Sequence, residues 1–418
     1  MHILLIHQAF CGPQDPGGTR HYELARKLVG NGQRFTIITS KYSYLTGNEK
    51  SALPNEGGID VRFAWTLGVW HRSYLHRTLA FLCFMITSVF EGSRVEKPDI
   101  VIGTSPPMLQ AVSAWLIATV RRCPYILEVR DLWPEFAVDL GVLRNRVLIL
   151  LARKLELFLY SRASEIIVNS PPYREYLLKR GIRETKISVV PNGVDNLMYC
   201  PEHRGEAFRR AHGMHSKFLV MYAGALGLAN DIDCLLRTAA RLRSRTEIVF
   251  AIVGDGKELP RLRSEADLLE LNNVHFVPAQ PKQYMPSVLA AADLCVATLK
   301  DVPMLRTTYP NKVFDYMAAG RPTILAIDGP IREVIEKSQS GICVPPGDDA
   351  ALAEALLALY ESPGLREQMG QNARSFVISH FDRALQAKQL AEILQSHIPA
   401  VRTSSKQADV AVPVFRGR

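Results

Sequence analysis

Two cations and a carboxylate stand close together in the stretch DVPMLRTTYPNKVFDYMAAGRPTILA, residues 301–326: Arg306, Lys312 and Asp315. Arginine and lysine at the start of a helix are the groups that neutralise a phosphate. The first helical turn leaves N–H groups unpaired and carries partial positive charge, to which a lysine adds a full one. The spacing predicts such a helix, with Asn311 in the capping position, Val313, Phe314, Met317 and Ala318 on one face, and Gly320 and Pro322 ending it. Phosphate binding is the chemistry these residues fit, and solvated loop cations are the plainer alternative.

Five further stretches carry residues of the same kind. In HQAFCGPQDPGGTRHYELA, residues 7–25, Gly17 and Gly18 let backbone N–H groups approach a phosphate closely and Arg20 supplies charge; a flexible turn is the other reading. The pattern is not G-x-G-x-x-G, which disfavours a dinucleotide fold and a dehydrogenase. In LEVRDLWPEFAVDLGVL, residues 127–143, Arg130, Asp131 and Glu135 follow an apolar strand, where they would bind sugar hydroxyls, stabilise developing positive charge or hold a loop.

In VMYAGALGLANDIDCLL, residues 220–236, Gly224, Gly227 and Asn230 make a second anion seat at a helix start. Asp231 and Asp233 there match the D-x-D spacing of metal-dependent sugar transferases, but their position at a helix start favours capping and dipole complementarity over a metal. Gly254, Asp255 and Gly256 in IVGDGKELPRL form a tight, wall-forming turn, and the loop holding Lys282 in FVPAQPKQYMPSVLAAADLCV offers backbone to a nucleobase edge. No Ser-His-Asp order, H-E-x-x-H or P-loop occurs in a supporting setting, which weakens hydrolase and phosphotransferase readings.

The elements that must position these residues alternate strand with helix. Strand-like runs fall at 2–6, 35–39, 59–63, 100–104, 125–129, 165–169 and 187–190, with a clear helix at 20–32. The pattern restarts at 218–224, 247–254, 274–277, 293–299, 322–327 and 341–344, followed by helices near 350–360 and 381–397. The alternation predicts an α/β chain of two doubly wound parallel-sheet domains with a boundary near 195–215, as 418 residues also imply. Ligands of such folds bind at the carboxyl ends of the strands, and nearly every unusual loop above follows a strand.

Composition narrows the class. Hydrophobic residues at 47% and charged residues at 22% describe a globular chain. The formal charge of +9 is uneven: residues 1–195 hold 24 Lys and Arg against 17 Asp and Glu, and residues 196–418 hold 26 against 24. No zinc spacing, RNA-binding signature or dense basic helix points to nucleic acid, which leaves lipid or phosphate as the anionic partner. Seven scattered cysteines without a C-x-x-C pair predict reduced thiols in a cytosolic protein. The start, MHILLIHQAF, reads as a first strand rather than a signal peptide. Residues 70–90, WHRSYLHRTLAFLCFMITSVF, have an aromatic and basic entry and an apolar body too short to span a bilayer; they suit a helix lying at a membrane surface or one buried in the core.

Taken together, EVRDLWPE, VVPNGVD, YAGALGLANDID, VGDGKEL, VHFVPAQPKQYMP, PNKVFDYMAAGRPTI and the early Gly17-Gly18 loop with Arg20 resemble the retaining nucleotide-sugar glycosyltransferases of family 4. The likeness runs from residue 1 to about 397. It is strongest to the bacterial surface-polysaccharide branch, which includes N-acetylfucosamine transferases. The resemblance implies the GT-B fold of two facing Rossmann-like domains, with an acceptor domain at 1–195 and a nucleotide-sugar domain at 196–375. A helix at 376–398 would return to the first domain, and 399–418 would be a loose tail.

It further implies a donor, usually UDP-linked, held by Gly224, Asn230, Gly254, Lys282, Arg306, Lys312 and Asp315, and no metal or other cofactor. Three departures stand out: Thr307 and Asp315 replace the family's two glutamates, the usual Arg and Lys after YAG are missing, and Arg130 matches a common histidine. These losses place more weight on Arg306 and Lys312, with Asp315 on the ribose.

The expected activity is sugar transfer from a nucleotide sugar to a lipid-linked saccharide, at the cytoplasmic face of an inner membrane touched through residues 70–90. Arg306 and Lys312 would stabilise the departing diphosphate, Arg130 and Asp131 would orient sugar or acceptor, and Gly17, Gly18 and Arg20 would form the phosphate or acceptor loop. The rivals are a nucleotide-sugar 2-epimerase on the same fold and a non-catalytic sugar-nucleotide-binding partner in a polysaccharide assembly complex.

Overall fold

The computed structural model describes residues 1–43, 46–50, 58–68, 74–199 and 205–398. The first domain holds seven strands, β1 (His2–Ile6), β2 (Arg34–Ser40), β3 (Ile59–Ala64), β4 (Ile100–Ser105), β5 (Tyr125–Val129), β6 (Glu165–Val168) and β7 (Ile187–Val189). They pair in parallel in the order β3-β2-β1-β4-β5-β6-β7. Parallel strands need crossovers, here α1 (Arg20–Gly30), α2 (Tyr74–Arg94), α3 (Met108–Arg121), α4 (Glu135–Asp139) with α5 (Arg146–Arg162), and α6 (Pro171–Lys179).

Helices on both faces explain why these strands are apolar throughout instead of alternating. Along β1, Ile3 and Leu5 enter a cluster with Leu24 and Leu28 of α1, while Leu4 and Ile6 enter another with Phe84, Ala114 and Leu159 of α2, α3 and α5.

The second domain repeats the plan with α7 (Glu206–Ala211), β8 (Phe218–Ala223), α8 (Ile232–Arg241), β9 (Ile248–Val253), α9 (Leu259–Leu268), β10 (Val274–Val277), α10 (Met285–Ala290) and β11 (Leu294–Thr298). It continues with α11 (Asn311–Ala318), β12 (Thr323–Ala326), α12 (Pro330–Ser338), β13 (Gly341–Cys343), α13 (Asp349–Glu361), α14 (Pro363–His380) and α15 (Arg383–Ser396). Its parallel sheet runs β10-β9-β8-β11-β12-β13. The two facing Rossmann-like domains of the sequence reading are therefore present.

Two boundaries differ from expectation. A helix covering 363–380 was not foreseen, because Pro363, Gly364 and Gly370 look like breakers; Pro363 instead occupies a first-turn position, where its missing N–H costs nothing. The returning helix begins at Arg383, not 376. Phe381 stays with Tyr309, Phe314 and Phe376, and Asp382 caps α15 by accepting from Ala384 N at 2.6 Å. From there α15 packs on α1, and Arg383 meets the buried Glu23 at 2.7 Å. The tail at 399–418 lies outside the described residues. So do Cys200 and residues 70–73; the other six cysteines are free.

The domains meet along strand ends. Ser170 Oγ donates to Thr307 O at 2.6 Å, Asn192 Nδ2 to Tyr309 O at 2.7 Å, and Met304 N to Asp139 Oδ2 at 3.0 Å. On the other side of the seam, Lys282 N and Gln283 N donate to Asp15 O and Pro13 O in the glycine loop.

Candidate functional site

The turn after β8 and the start of α11 converge on one lysine. Lys312 Nζ donates to Tyr222 Oη at 2.6 Å and to Asn230 Oδ1 at 2.7 Å, and lies 4.3 Å from the Tyr222 ring centre. Gly224 makes room for it, since a Cβ there would sit 3.2 Å from Lys312 Cε. Asn230 is itself held by Thr298 at the end of β11, whose hydroxyl donates to its carbonyl at 2.6 Å. All the partners of the ammonium are neutral, and burial pushes it down from 10.5 to about 7. A partly buried ammonium without a carboxylate gains most from an arriving anion.

The neighbouring residues are arranged otherwise than the sequence implied. Asn311 does not cap α11. Pro310 takes the cap position, Asn311 is the first helical residue, and its buried Oδ1 has no partner. Arg306 does not join Lys312 but pairs with Asp301 at 2.6 Å on the surface, its side chain 52% exposed. That sets it apart from Lys312, because a short loop between the two carries each side chain to a different environment. Asp315 is not free either. Lys282 Nζ, only 9% exposed as a side chain, bonds both its oxygens at 2.7 Å and the Tyr199 hydroxyl at 3.2 Å. Lys282 thereby ties α11, the interdomain linker and, through its backbone, the glycine loop of the first domain.

Gly254 is a spacer rather than a ligand group: a Cβ there would fall 1.9 Å from Gly224 O, so its hydrogen atom lets the turns after β8 and β9 stack. Asp231 sits at the N-cap of α8 with φ +46° and makes no capping bond, and Asp233 pairs with Arg261 at 2.8 Å. The expected capping bond is therefore not made, while both carboxylates still sit at the N-terminal end of α8, where they complement the helix dipole. Among the described residues no cluster of three His, Cys, Asp or Glu is arranged to hold a metal.

Across the seam, the carboxyl edge of the first sheet presents Arg130 and Asp131. Arg130 shares a hydrogen bond with His7 at 3.0 Å, and His7 in turn meets Thr104 at 2.8 Å. His7 is buried against His21, Arg130 and Lys50, so its proton affinity falls well below the ordinary range and it stays neutral. Burial lifts the Asp131 carboxyl to about 6, against the pull of Arg130. Glu135, third of the sequence trio, holds the fold through Arg153 and Arg180.

Gly17 and Gly18 are exposed beside the seam, and Gly17 needs to be glycine: φ is +139° and a Cβ would meet Cys11 Sγ at 2.9 Å. Arg20 is the correction on this side. It is 5% exposed and donates to Glu128 and to the carbonyls of Val190 and Pro191, so it ties strand ends together instead of meeting a ligand.

Sequence reading missed His7, His21, Glu128 and Glu23. The signal for Glu128 was present, since a carboxylate inside the otherwise apolar strand YILEV must be paired. Arg20 and His21 do so, and although burial acts to raise Glu128, these partners hold it well below the carboxylate range.

The comparisons with known proteins match this anatomy. Residues 17–193 fit the family described as "Glycosyl transferase 4-like domain", and residues 205–376 fit "Glycosyl transferases group 1". The chain is 27% identical to WbjE of Pseudomonas aeruginosa, assigned as a glycosyltransferase, over 69% of this chain and 72% of that one. It is 22% identical to WcaI of Escherichia coli K12, assigned to colanic acid biosynthesis as a glycosyl transferase, over 80% and 86%. Among solved structures, HepE of Anabaena in complex with UDP-glucose superposes with a TM-score of 0.73 at 20% identity, covering 95% of this chain and all of that one.

Proposed function

From the premise that this chain is a GT-B glycosyltransferase of the group 1, glycosyltransferase 4-like family, we propose that it transfers a sugar from a UDP-linked donor to a lipid-linked saccharide in surface-polysaccharide synthesis, with retention of the anomeric configuration and without a metal. The observation that carries the donor side is Lys312, an ammonium held by the neutral Tyr222 hydroxyl and Asn230 amide oxygen at the glycine-floored turn after β8. The UDP-glucose complex of HepE, on the same fold, supports the choice of nucleotide.

In the transfer, the bond from the anomeric carbon to the diphosphate oxygen breaks with its electrons leaving on the diphosphate. Lys312 stabilises that growing charge more in the transition state than in the ground state. The acceptor hydroxyl forms the new bond on the same face and gives its proton to the departing phosphate oxygen. Arg130, aligned by His7, and Asp131 orient the hydroxyls of sugar or acceptor from the facing domain. Contact with an inner membrane through the 70–90 segment belongs to this reading, and no described helix is long and apolar enough to cross one.

Thr307 in place of a glutamate, and Asp315 already bonded to Lys282, favour one second reading, a chain that binds a sugar nucleotide without transferring from it. A thermal-shift screen against UDP, ADP, GDP and their sugars should show the largest stabilisation with the uridine series. Equal shifts with all three would overturn the donor assignment. Release of free UDP on adding lipid-linked acceptor separates transfer from binding alone.

A further inference from the structure

The outer side of the first domain carries an apolar surface that its own fold leaves uncovered. Helix α5 begins at a formed cap, Asn145 accepting from Val147 N and Leu148 N, so its first turns are ordered helix. Yet Val147, Leu148, Leu150 and Leu151 are each more than half exposed there. Exposure of four large aliphatic side chains within five residues is a patch, not the scatter normal on a surface.

A second stripe lies in the same helical layer. On α2, Leu79, Leu82, Ile86 and Phe90 repeat at helical spacing and face outward, and both helices pack against α3, where Trp115 meets Phe158 of α5 edge-on.

Charge identifies the partner. Between residues 140 and 155 there is no Asp or Glu but Arg144, Arg146, Arg153 and Lys154, and between 79 and 90 there is none either. Arg144, Arg146 and Lys154 are exposed around the tip, while Arg153 is engaged by Glu135. Apolar side chains ringed by cations match a bilayer with anionic headgroups, whose acyl region takes the leucines while phosphates meet the basic rim.

Position adds a reason for the contact. The segment leading into α5 follows Arg130 and Asp131, and its Asp139 reaches the second domain at Met304. The tip therefore stands beside the mouth between the domains.

We propose that the N-terminal half of α5, Val147, Leu148, Leu150 and Leu151 with Arg144, Arg146 and Lys154, inserts into an anionic membrane surface, with the outer stripe of α2 alongside. Its purpose rests on the lipid-linked acceptor proposed above; its existence does not, since membrane binding is measured without any sugar.

The test is sedimentation of the full chain with vesicles of phosphatidylglycerol and phosphatidylethanolamine, against vesicles of phosphatidylcholine. The unsubstituted chain should partition onto the anionic vesicles. The pair Leu148→Glu and Leu151→Glu should weaken that binding by about tenfold or more, and Arg146→Glu with Lys154→Glu should weaken it and flatten its dependence on salt. Both variants should keep the nucleotide-induced thermal shift, which certifies their fold. In the unsubstituted chain, amide exchange over 144–155 should slow on anionic vesicles.

Equal partitioning of the leucine variant, or unchanged exchange at 144–155, overturns the proposal. So does a chain that ignores vesicles and forms a dimer in light scattering which the leucine variant dissolves, because the patch then meets a second copy. Vesicle binding without any nucleotide effect would leave this surface standing and remove the donor reading instead.

Discussion

Two clusters of buried charge, one in each domain, are built in opposite ways. In the first, Glu128 sits between Arg20 and His21, and Glu23 faces Arg383 from the returning helix, so every one of these ions has an opposite or hydrogen-bonding group against it. In the second, Lys312 has a hydroxyl, an amide oxygen and a ring, all neutral. A compensated buried ion is a tie within the structure; an uncompensated one gains most from an arriving opposite charge. The same test separates the cations that sequence alone could not rank: Arg20 falls with the ties, Lys312 with the uncompensated ions proposed to meet a ligand, and Arg306, paired at the surface, with neither.

The largest expected effect falls on the compensated side. Removing the carboxylate in Glu128→Ala leaves the Arg20 guanidinium and His21 buried without it, which should cost about 3–5 kcal/mol of stability. Chemical denaturation would show this as a drop in midpoint, and an unchanged midpoint would place Glu128 outside any tie. Arg20→Ala should behave similarly, and neither change should alter the preference among nucleotides in whatever fraction stays folded.

Next comes the uncompensated side, with the pattern reversed. Lys312→Ala should lower kcat/KM by roughly 10²–10³, the range for loss of one preorganised group facing developing charge. Its thermal midpoint without nucleotide should stay level or rise, since a poorly matched ammonium disappears. A variant that loses stability and keeps its turnover would cancel the contrast between the two clusters.

The third effect is a dependence on pH. The folded chain holds the Lys312 proton more weakly than the unfolded chain, with a value of about 7 against 10.5. This group therefore makes nucleotide-free stability rise as pH climbs from about 7 to 10.5, the unfolded state binding the extra proton over that span. A bound diphosphate restores the ammonium, so binding above pH 7 should take up one proton and weaken by about tenfold per pH unit. Calorimetry in buffers of different ionisation enthalpy measures the uptake, and heats that ignore the buffer would refute it.

How much of this was legible beforehand follows from the range of the forces involved. Strands such as HILLI and YILEV, and the break between two α/β units, are written in local apolar runs and could be placed to within a residue or two. Lys312, Asn230 and Gly224 could be nominated because each follows a strand. Their convergence could not, since Lys312 and Tyr222 are ninety positions apart along the chain. Partner choice was the illegible part. Whether Asp315 waits for ribose or holds Lys282, and whether Arg20 faces a ligand or Glu128, depends on which side chains the sheets bring together.

The smallest expected effect bears most directly on that distinction. Arg306 belongs to the same short stretch as Lys312, carries the same sign of charge and looked equally suited to a phosphate. Its guanidinium lies half in solvent against Asp301, itself well exposed. Pairs of that kind contribute little to stability, because water screens the attraction and two flexible side chains must be ordered to make it. Arg306→Ala should therefore leave the denaturation midpoint nearly unchanged and kcat/KM within about twofold, where Lys312→Ala loses hundreds of times more. A large loss of turnover at Arg306 would mean that the loop at 301–310 rearranges on the donor and carries the arginine inward. Compensation in the empty chain would then no longer tell a tie from a ligand group.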